Sequence, residues 1–363
     1  VNVLYSFNKR GEEARVWTRE IAAASAAQVR FVPFNHEPYL DPERYRRAQL
    51  LDNLYYARHP GLMRLYDDFV AQLAAEQIDA VIVDNFHPYH PDFLRTVPVY
   101  KVLRTSDGPA CAYDRDFAYL HAYDHVLYHS PAYSRDLAMA DKLAYAGARR
   151  ADFWPMGVWD AAFDPTRTED TILAAERDID VIFIGAMHLD KMPLLARVKK
   201  ALGRRCRMHG LAGLKRNAYF NLTFGFPGWV RPVRVEQYVS LYQRARIGFN
   251  VHNRGDYTVG NYRLFELPAN GVMQLSDGGD YLSRFFDVGS EIVSYRGADD
   301  LIDRIRWYLT HDAERERIAR AGFRRAVGEC RMRRRLEQAG ELIMRGIADA
   351  APRGSDMTRL ALG

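Results

Sequence analysis

Short apolar runs alternate with helical patterns along this chain, in two successive series. Apolar runs of four to six residues bounded by turn residues read as buried strands, and strands that alternate with helices build α/β layers on a parallel sheet. The first series opens with Val3-Leu4-Tyr5-Ser6-Phe7, turns at Asn8-Lys9-Arg10-Gly11 and continues as a helix over 12–27. Strands are expected at 29–34, 80–83, 99–103 and 125–129, with an amphipathic helix over 62–76. Past Phe153-Trp154-Pro155-Met156-Gly157-Val158, where Pro and Gly mark a linker, the second series begins. It reads as strands at 180–185, 207–210, 247–251, 272–275 and 292–293, with helices over 190–202 and 237–246, from 261 and from 298 onward. The 363 residues suit two domains of ordinary size, and no internal sequence repeat is visible.

With 48% hydrophobic and 27% charged residues, both domains can bury a core. The three cysteines, Cys111, Cys206 and Cys330, are odd in number and far apart, which fits free thiols in a reducing, cytoplasmic compartment. No run of about 18 apolar residues is present, so no transmembrane helix is expected. Val1-Asn2-Val3-Leu4-Tyr5 reads as a strand, not a signal peptide. The net charge of +5 is mild, and the arginines gather late, from Arg315 to Arg335. Glu314, Glu316, Glu329 and Glu337 interleave with them, as on a solvated helix face; a basic face of this kind also suits peripheral contact with anionic lipid. No base-reading module is recognisable, which argues against a nucleic-acid partner. Residues 351–363 read as a flexible tail.

In open parallel sheets ligands sit at the carboxyl ends of strands. Polar residues follow the strands here: Asp84-Asn85, Arg104-Thr105-Ser106-Asp107 and Ser130 in the first series, Asn250, His252 and Asn253 in the second. The densest signal is GNYRLFELPANG, residues 260–271. A helix starting at Asn261 behind Gly260 would present N–H groups and partial positive charge to a phosphate, with Arg263 adding full charge. Glu266, one turn on, can accept hydrogen bonds from ribose hydroxyls. An ordinary surface ion pair of Arg263 with Glu266 fits the same spacing. Asn270-Gly271 should stop the helix, glycine supplying a left-handed residue. Lys191 opens another helix against its dipole, a placement that anion binding would explain.

His87 and Asp107 follow first-series strands, where loop ordering or ligand binding is the favoured reading and a general base the alternative. Lys9-Arg10-Gly11 lacks the three glycines of a dinucleotide fingerprint, which argues against an NAD enzyme. Asp277-Gly278-Gly279-Asp280 reads as a polar turn, and no metal or other cofactor is expected.

Taken in order, YDHVLYHS, FWPMGVWDAAFDP, DIDVIFIGAMHLDKMPLL, YQRARIGFNVHN, NYRLFELPANGVMQLSD and YLTHDAERERIARAGFRRAV resemble a GT-B glycosyltransferase of the group 1 superfamily, nearest its spore-maturation-protein-like branch. The resemblance spans 79–330 and implies an α/β fold of two Rossmann-like domains facing a central cleft. It implies an acceptor domain over 1–155, a nucleotide-sugar donor domain over 156–330 and a helix over 331–350 packed back on the first domain, with a hinge near 154–160. By the same resemblance Gly185 lets the backbone approach the donor. Lys191 and Arg263 meet its diphosphate, Glu266 meets the ribose, and Trp229 and Arg231 lie near the base. One departure stands out. Many retaining members carry two glutamates separated by seven residues, and here the first place is Thr258, with Asp256 the nearest carboxylate. The activity implied is transfer of a sugar from a nucleotide-diphosphate sugar to a small-molecule, glycan or protein acceptor in glycoconjugate biosynthesis, without a required metal and leaning toward retention. The alternatives are a non-catalytic nucleotide- or glycan-binding protein on the same fold, and a nucleotide-sugar 2-epimerase.

Overall fold

The computed structural model describes residues 1–25, 28–84, 87–105, 117–134, 136–233, 235–252 and 260–350. Asn85, Asp107, Cys111, Asn253, Asp256, Thr258 and the expected tail lie outside them. Two compact units emerge: Val1–Pro155 together with Arg333–Gly363, and Met156–Met332.

The first unit carries β1 (Asn2–Phe7), β2 (Arg30–Asn35), β3 (Ala80–Asp84), β4 (Tyr100–Thr105) and β5 (His125–Tyr128). A small antiparallel pair follows, β6 (Ala132–Ser134) with β7 (Leu137–Ala138), and then β8 (Ala151–Phe153). The main sheet runs β2-β1-β3-β4-β5-β8 and is parallel throughout. The helix Pro60–Ala75 buries Leu62, Leu65, Phe69 and Leu73, the spacing of one helical face, in the same core as Leu4, Val81 and Leu103. The helix Met332–Ala350 is tied to this unit at several points. Arg335 O accepts from Trp154 Nε1, and Asp349 meets Arg150 at 2.6 Å. Gly340 and Gly346 lie so close to Val29 and Tyr100 that a Cβ would stand 2.9 and 2.2 Å from them.

In the second unit β9 (Ile179–Ile184), β10 (Cys206–His209), β11 (Ala245–Asn250), β12 (Met273–Ser276) and β13 (Val293–Ser294) form a parallel sheet in the order β10-β9-β11-β12-β13. Its strands bury Val181, Phe183, Ile247, Phe249, Met273 and Leu275 in a continuous core. Both sheets thus seat their first strand between their second and third, and each is Rossmann-like. The strand order reverses beside the first strand, leaving a crevice at the carboxyl ends. In the second unit that crevice lies between β9 and β11.

Close packing of helix on sheet at this point depends on Gly248 in β11, where a Cβ would meet Leu267 Cδ2 at 2.5 Å and Val272 Cγ1 at 3.1 Å. Gly248→Ala overpacks a core with no slack. We expect a loss of about 1–3 kcal/mol in chemical denaturation, read as a lower midpoint with an unchanged slope.

Several elements differ from expectation. The helix expected over 237–246 is Val235–Gln243. Arg244 and Arg246 turn out to Asp178 and Asp180, at 2.7 and 3.5 Å, while Ala245 enters β11. The strand Ala151–Phe153 reaches into the segment read as linker. The helix Leu214–Phe224 had no counterpart in the sequence reading, because apolar residues occupy both its buried and its exposed faces and blur the period. Cys206 is a free, buried cysteine, and Cys330 is buried as well.

Candidate functional site

Strand register brings the second-series residues together. Gly185 follows β9, while Asn250 ends β11 opposite Ser276 of β12, so His252 and Asp277 emerge side by side. Asn250 is the hub. Its Oδ1 accepts from Arg263 Nη1 and from Asn261 Nδ2, each at 2.9 Å, and its carbonyl accepts from Tyr295 Oη at 2.7 Å. Asp277 accepts from the His252 backbone N–H at 2.9 Å and from its Nδ1–H at 2.7 Å. That fixes the tautomer, leaving Nε2 to accept from Asn250 Nδ2 and from the Gly260 N–H, both at 3.3 Å. Asp277, read from sequence as part of a polar turn, therefore orders the β11 end. Aligning the ends of β11 and β12 is the signal that finds it.

The helix here is Arg263–Ala269, two residues later than expected, with Asn261 Oδ1 accepting the Leu264 N–H at 3.0 Å. The Phe265 and Glu266 amides bond Tyr262 O at 2.9 Å. The Leu264, Phe265 and Glu266 amides are therefore occupied within the chain, and side chains add positive charge at the site. The stop at Asn270-Gly271 is as expected: Gly271 has φ +67°, and Val272 N–H reaches back to Leu267 O at 3.1 Å.

Arg263 is held rigidly. Nε donates to Ile184 O at 2.5 Å, and the guanidinium lies 4.6 Å from the Phe183 ring centroid. Gly185 makes room for it, since a Cβ there would fall 1.7 Å from Nη2. Lys191, the residue before the helix Met192–Leu202, is 5% exposed and donates from Nζ to Val251 O at 2.8 Å. Burial, and then the charge of Arg263, lower its pKa from 10.5 to about 8. Among the described residues both cations hydrogen-bond only to neutral groups. Glu266 is largely enclosed, and burial pushes its carboxyl up to about 7 against the pull of Arg263. It forms no ion pair with Arg263, the alternative that spacing alone had allowed.

Charged Lys191 is consequently a cost to the fold. Between about 8 and 10.5 the unfolded chain holds a proton that the folded chain does not, so stability rises with pH across that window. Lys191→Met should raise the melting temperature by a few degrees, about 1 kcal/mol, while weakening anion binding. Wild-type affinity for a diphosphate should fall as pH rises through about 8; titrations at two pH values check both signs.

Beside Gly185 opens a cavity of about 450 Å³ lined by Ile184, Met187, Gly210, Leu211, Pro232 and Val233 among others. Trp229 and Arg231 belong to the loop that supplies Pro232 and Val233, but Trp229 is 54% exposed and stands in solvent. Asn217 clamps the loop through the Val230 N–H (2.8 Å) and carbonyl (3.1 Å), which turns residue 229 outward.

In the first unit both ring nitrogens of His87 are engaged: Nδ1 accepts the Tyr89 N–H at 3.1 Å and Nε2 meets Tyr123 Oη. The ionisable group at the β1–β3 crevice is Asp84, which receives Tyr5 Oη at 3.2 Å and Arg104 Nη1 at 3.1 Å, and whose pKa burial raises. Lys9 pairs with Glu13 at 2.5 Å. Two Asp-x-Asp spacings, a pattern that can hold a divalent ion, occur in the sequence: Asp178-Ile179-Asp180 and Asp114-Arg115-Asp116. The first lies at the amino end of the β9 region, paired with Arg244, Arg205 and Arg246; the second is outside the described residues. No cluster of three potential metal ligands occurs among the described residues.

Residues 192–341 match the family described as glycosyl transferase-like. No curated protein sequence matches the chain. Among solved structures, sucrose-phosphate synthase from Thermosynechococcus elongatus is similar with a TM-score of 0.62 at 14% identity, over 96% of this chain and 100% of that one. HepE from Anabaena, solved with UDP-glucose, gives 0.59 at 12% over 95% and 99%. A putative UDP-N-acetylglucosamine 2-epimerase from Listeria monocytogenes gives 0.53 at 12% over 96% and 96%. The fold is that of the GT-B glycosyltransferases, two Rossmann-like domains in one chain.

Proposed function

We propose that the protein is a glycosyltransferase that takes a sugar from a nucleoside-diphosphate sugar bound in the second unit. The observation that carries the reading is the pair Lys191 and Arg263: two partly desolvated cations at the β9–β11 crevice that hydrogen-bond only to neutral groups among the described residues, with Asp277 and Asp190 acting on Lys191 only through their charge. Like charges brought together out of water are unfavourable unless an anion joins them. A diphosphate supplies that anion, and the charge that grows on it as the glycosidic bond breaks is what preorganised cations stabilise best. Glu266 suits ribose hydroxyls, and the cavity beside Gly185 has room for a base. Neutralisation by side chains makes the reaction independent of added divalent metal, so chelation should leave the rate unchanged. Retention of configuration is our assignment. It follows the family resemblance; of the two candidates for the base that an inverting reaction needs, His87 has both ring nitrogens committed and Asp107 lies outside the described residues. The anomer of the first product, read by NMR, decides it.

The test is a melting-temperature panel of UDP, GDP, ADP, TDP and CDP. A ligand bound only by the folded state at a hundred times its Kd adds about 2.7 kcal/mol. We expect one diphosphate to shift the transition and its monophosphate to shift it far less. No shift with any of them would overturn the reading. UDP is the first probe because the Anabaena neighbour binds UDP-glucose. Conversion of a UDP-sugar without acceptor would instead indicate an epimerase, the activity named for the Listeria neighbour.

A further inference from the structure

From Lys191 to Val235 the chain has eleven Lys and Arg and no Asp or Glu. Some of these cations pair with acids from elsewhere, Arg197 with Asp299 and Arg205 with Asp180. Lys215 and Arg231 have no ion-pair partner among the described residues and are exposed. Lys215 stands in the first turn of the helix Leu214–Phe224, which buries Asn217 and Phe220 and turns a second apolar stripe outward. Leu214 and Leu222, eight residues apart on that stripe, are 69% and 87% exposed; Tyr219 and Trp229 beside them are 45% and 54% exposed. Asn221 Nδ2 holds the turn before Trp229 against this helix, donating to Phe226 O at 2.6 Å and Gly228 O at 2.8 Å. The stripe is thus a fixed surface. A helix packed on a core needs one apolar face, and the second has no role in the unit's packing.

Most of the late arginines, which the sequence offered as a lipid-facing patch, by contrast stand beside carboxylates, although Arg333 and Arg334 share Glu337 only at 3.8 and 3.9 Å. Arg317 pairs with Glu314, Arg320 and Arg324 with Glu169, Arg325 with Glu329, and Arg331 with Asp160.

We infer that the exposed face of the helix Leu214–Phe224, with Trp229, docks on an anionic membrane surface. Leucines enter the acyl boundary, tyrosine and tryptophan rings sit at headgroup level, and Lys215 and Arg231 meet lipid phosphates. A nucleic acid would use the cations but would leave the leucines in water. An acidic membrane satisfies both halves of the surface.

The test is co-sedimentation with vesicles of phosphatidylcholine alone and of phosphatidylcholine mixed with phosphatidylglycerol. Wild-type protein should partition onto the mixed vesicles and hardly onto the neutral ones. Leu222→Ser with Trp229→Ser should reduce that partition about tenfold or more. Lys215→Glu with Arg231→Glu should abolish the preference for anionic lipid. All four residues are exposed, so unchanged melting temperatures establish that the variants fold. Wild-type protein that stays in the supernatant with mixed vesicles, or a Leu222→Ser/Trp229→Ser variant that binds like wild type, overturns the inference. So does retention on heparin without any vesicle binding.

Discussion

Arg263→Ala should lower kcat/KM for the donor by about a hundredfold or more, the usual cost of removing one preorganised charge from a developing anion. Its effect on folding should be small. The guanidinium gives up a bond to Ile184 O and one to Asn250, but Lys191 loses a like-charged neighbour and its pKa should rise. Arg263→Lys should restore little, because a single ammonium cannot hold Ile184 O and Asn250 Oδ1 while also presenting N–H groups to phosphate. Steady-state kinetics alongside thermal unfolding separates the two effects. A variant that unfolds more readily yet turns over normally would make Arg263 a packing residue.

Gly185→Ala should cause much the same functional loss without removing any charge. The new methyl group would stand 1.7 Å from Arg263 Nη2, so the guanidinium must leave its seat between Ile184 O and Asn250. The displaced atoms are the end of a flexible side chain, and φ at Gly185 lies outside the left-handed region, so the backbone accepts alanine. We expect donor affinity to fall about tenfold or more with a melting temperature within about 3 °C of wild type. Gly210→Ala is the contrasting control. Its Cβ would meet the Gly185 carbonyl at 2.4 Å, a backbone atom that cannot swing aside, so that variant should lose stability as well.

Much of this was legible in the sequence because it is written locally. Apolar runs marked the strands, and polar residues after them marked the carboxyl ends. Asn270-Gly271 marked a helix stop whose left-handed glycine the structure contains. What stayed hidden depends on partners distant in sequence. His252 and Asp277 are 25 residues apart and meet only because β11 and β12 pair in register. The occupied amides of the Arg263 helix were invisible for a subtler reason. A propensity argument places a helix end within a residue or two, and whether an amide is free turns on that residue. Gly185 was readable as a place of close approach, but what approaches it within the unit is Arg263, 78 residues on. The unpaired state of Glu266 was equally out of reach, since i,i+3 spacing permits an ion pair without requiring one.

The account stands on an anion completing the Lys191–Arg263 pair, and one measurement addresses that directly. Calorimetric titration of UDP into the protein at pH 8, in two buffers of different ionisation enthalpy, reads proton exchange as well as affinity. Lys191, with its pKa lowered to about 8, is only partly protonated there. A diphosphate beside it must draw a proton in, so net uptake is predicted for wild type and none at this group for Lys191→Met. Binding without proton uptake, or with equal affinity and uptake in Lys191→Met, would place the diphosphate elsewhere and contradict the account.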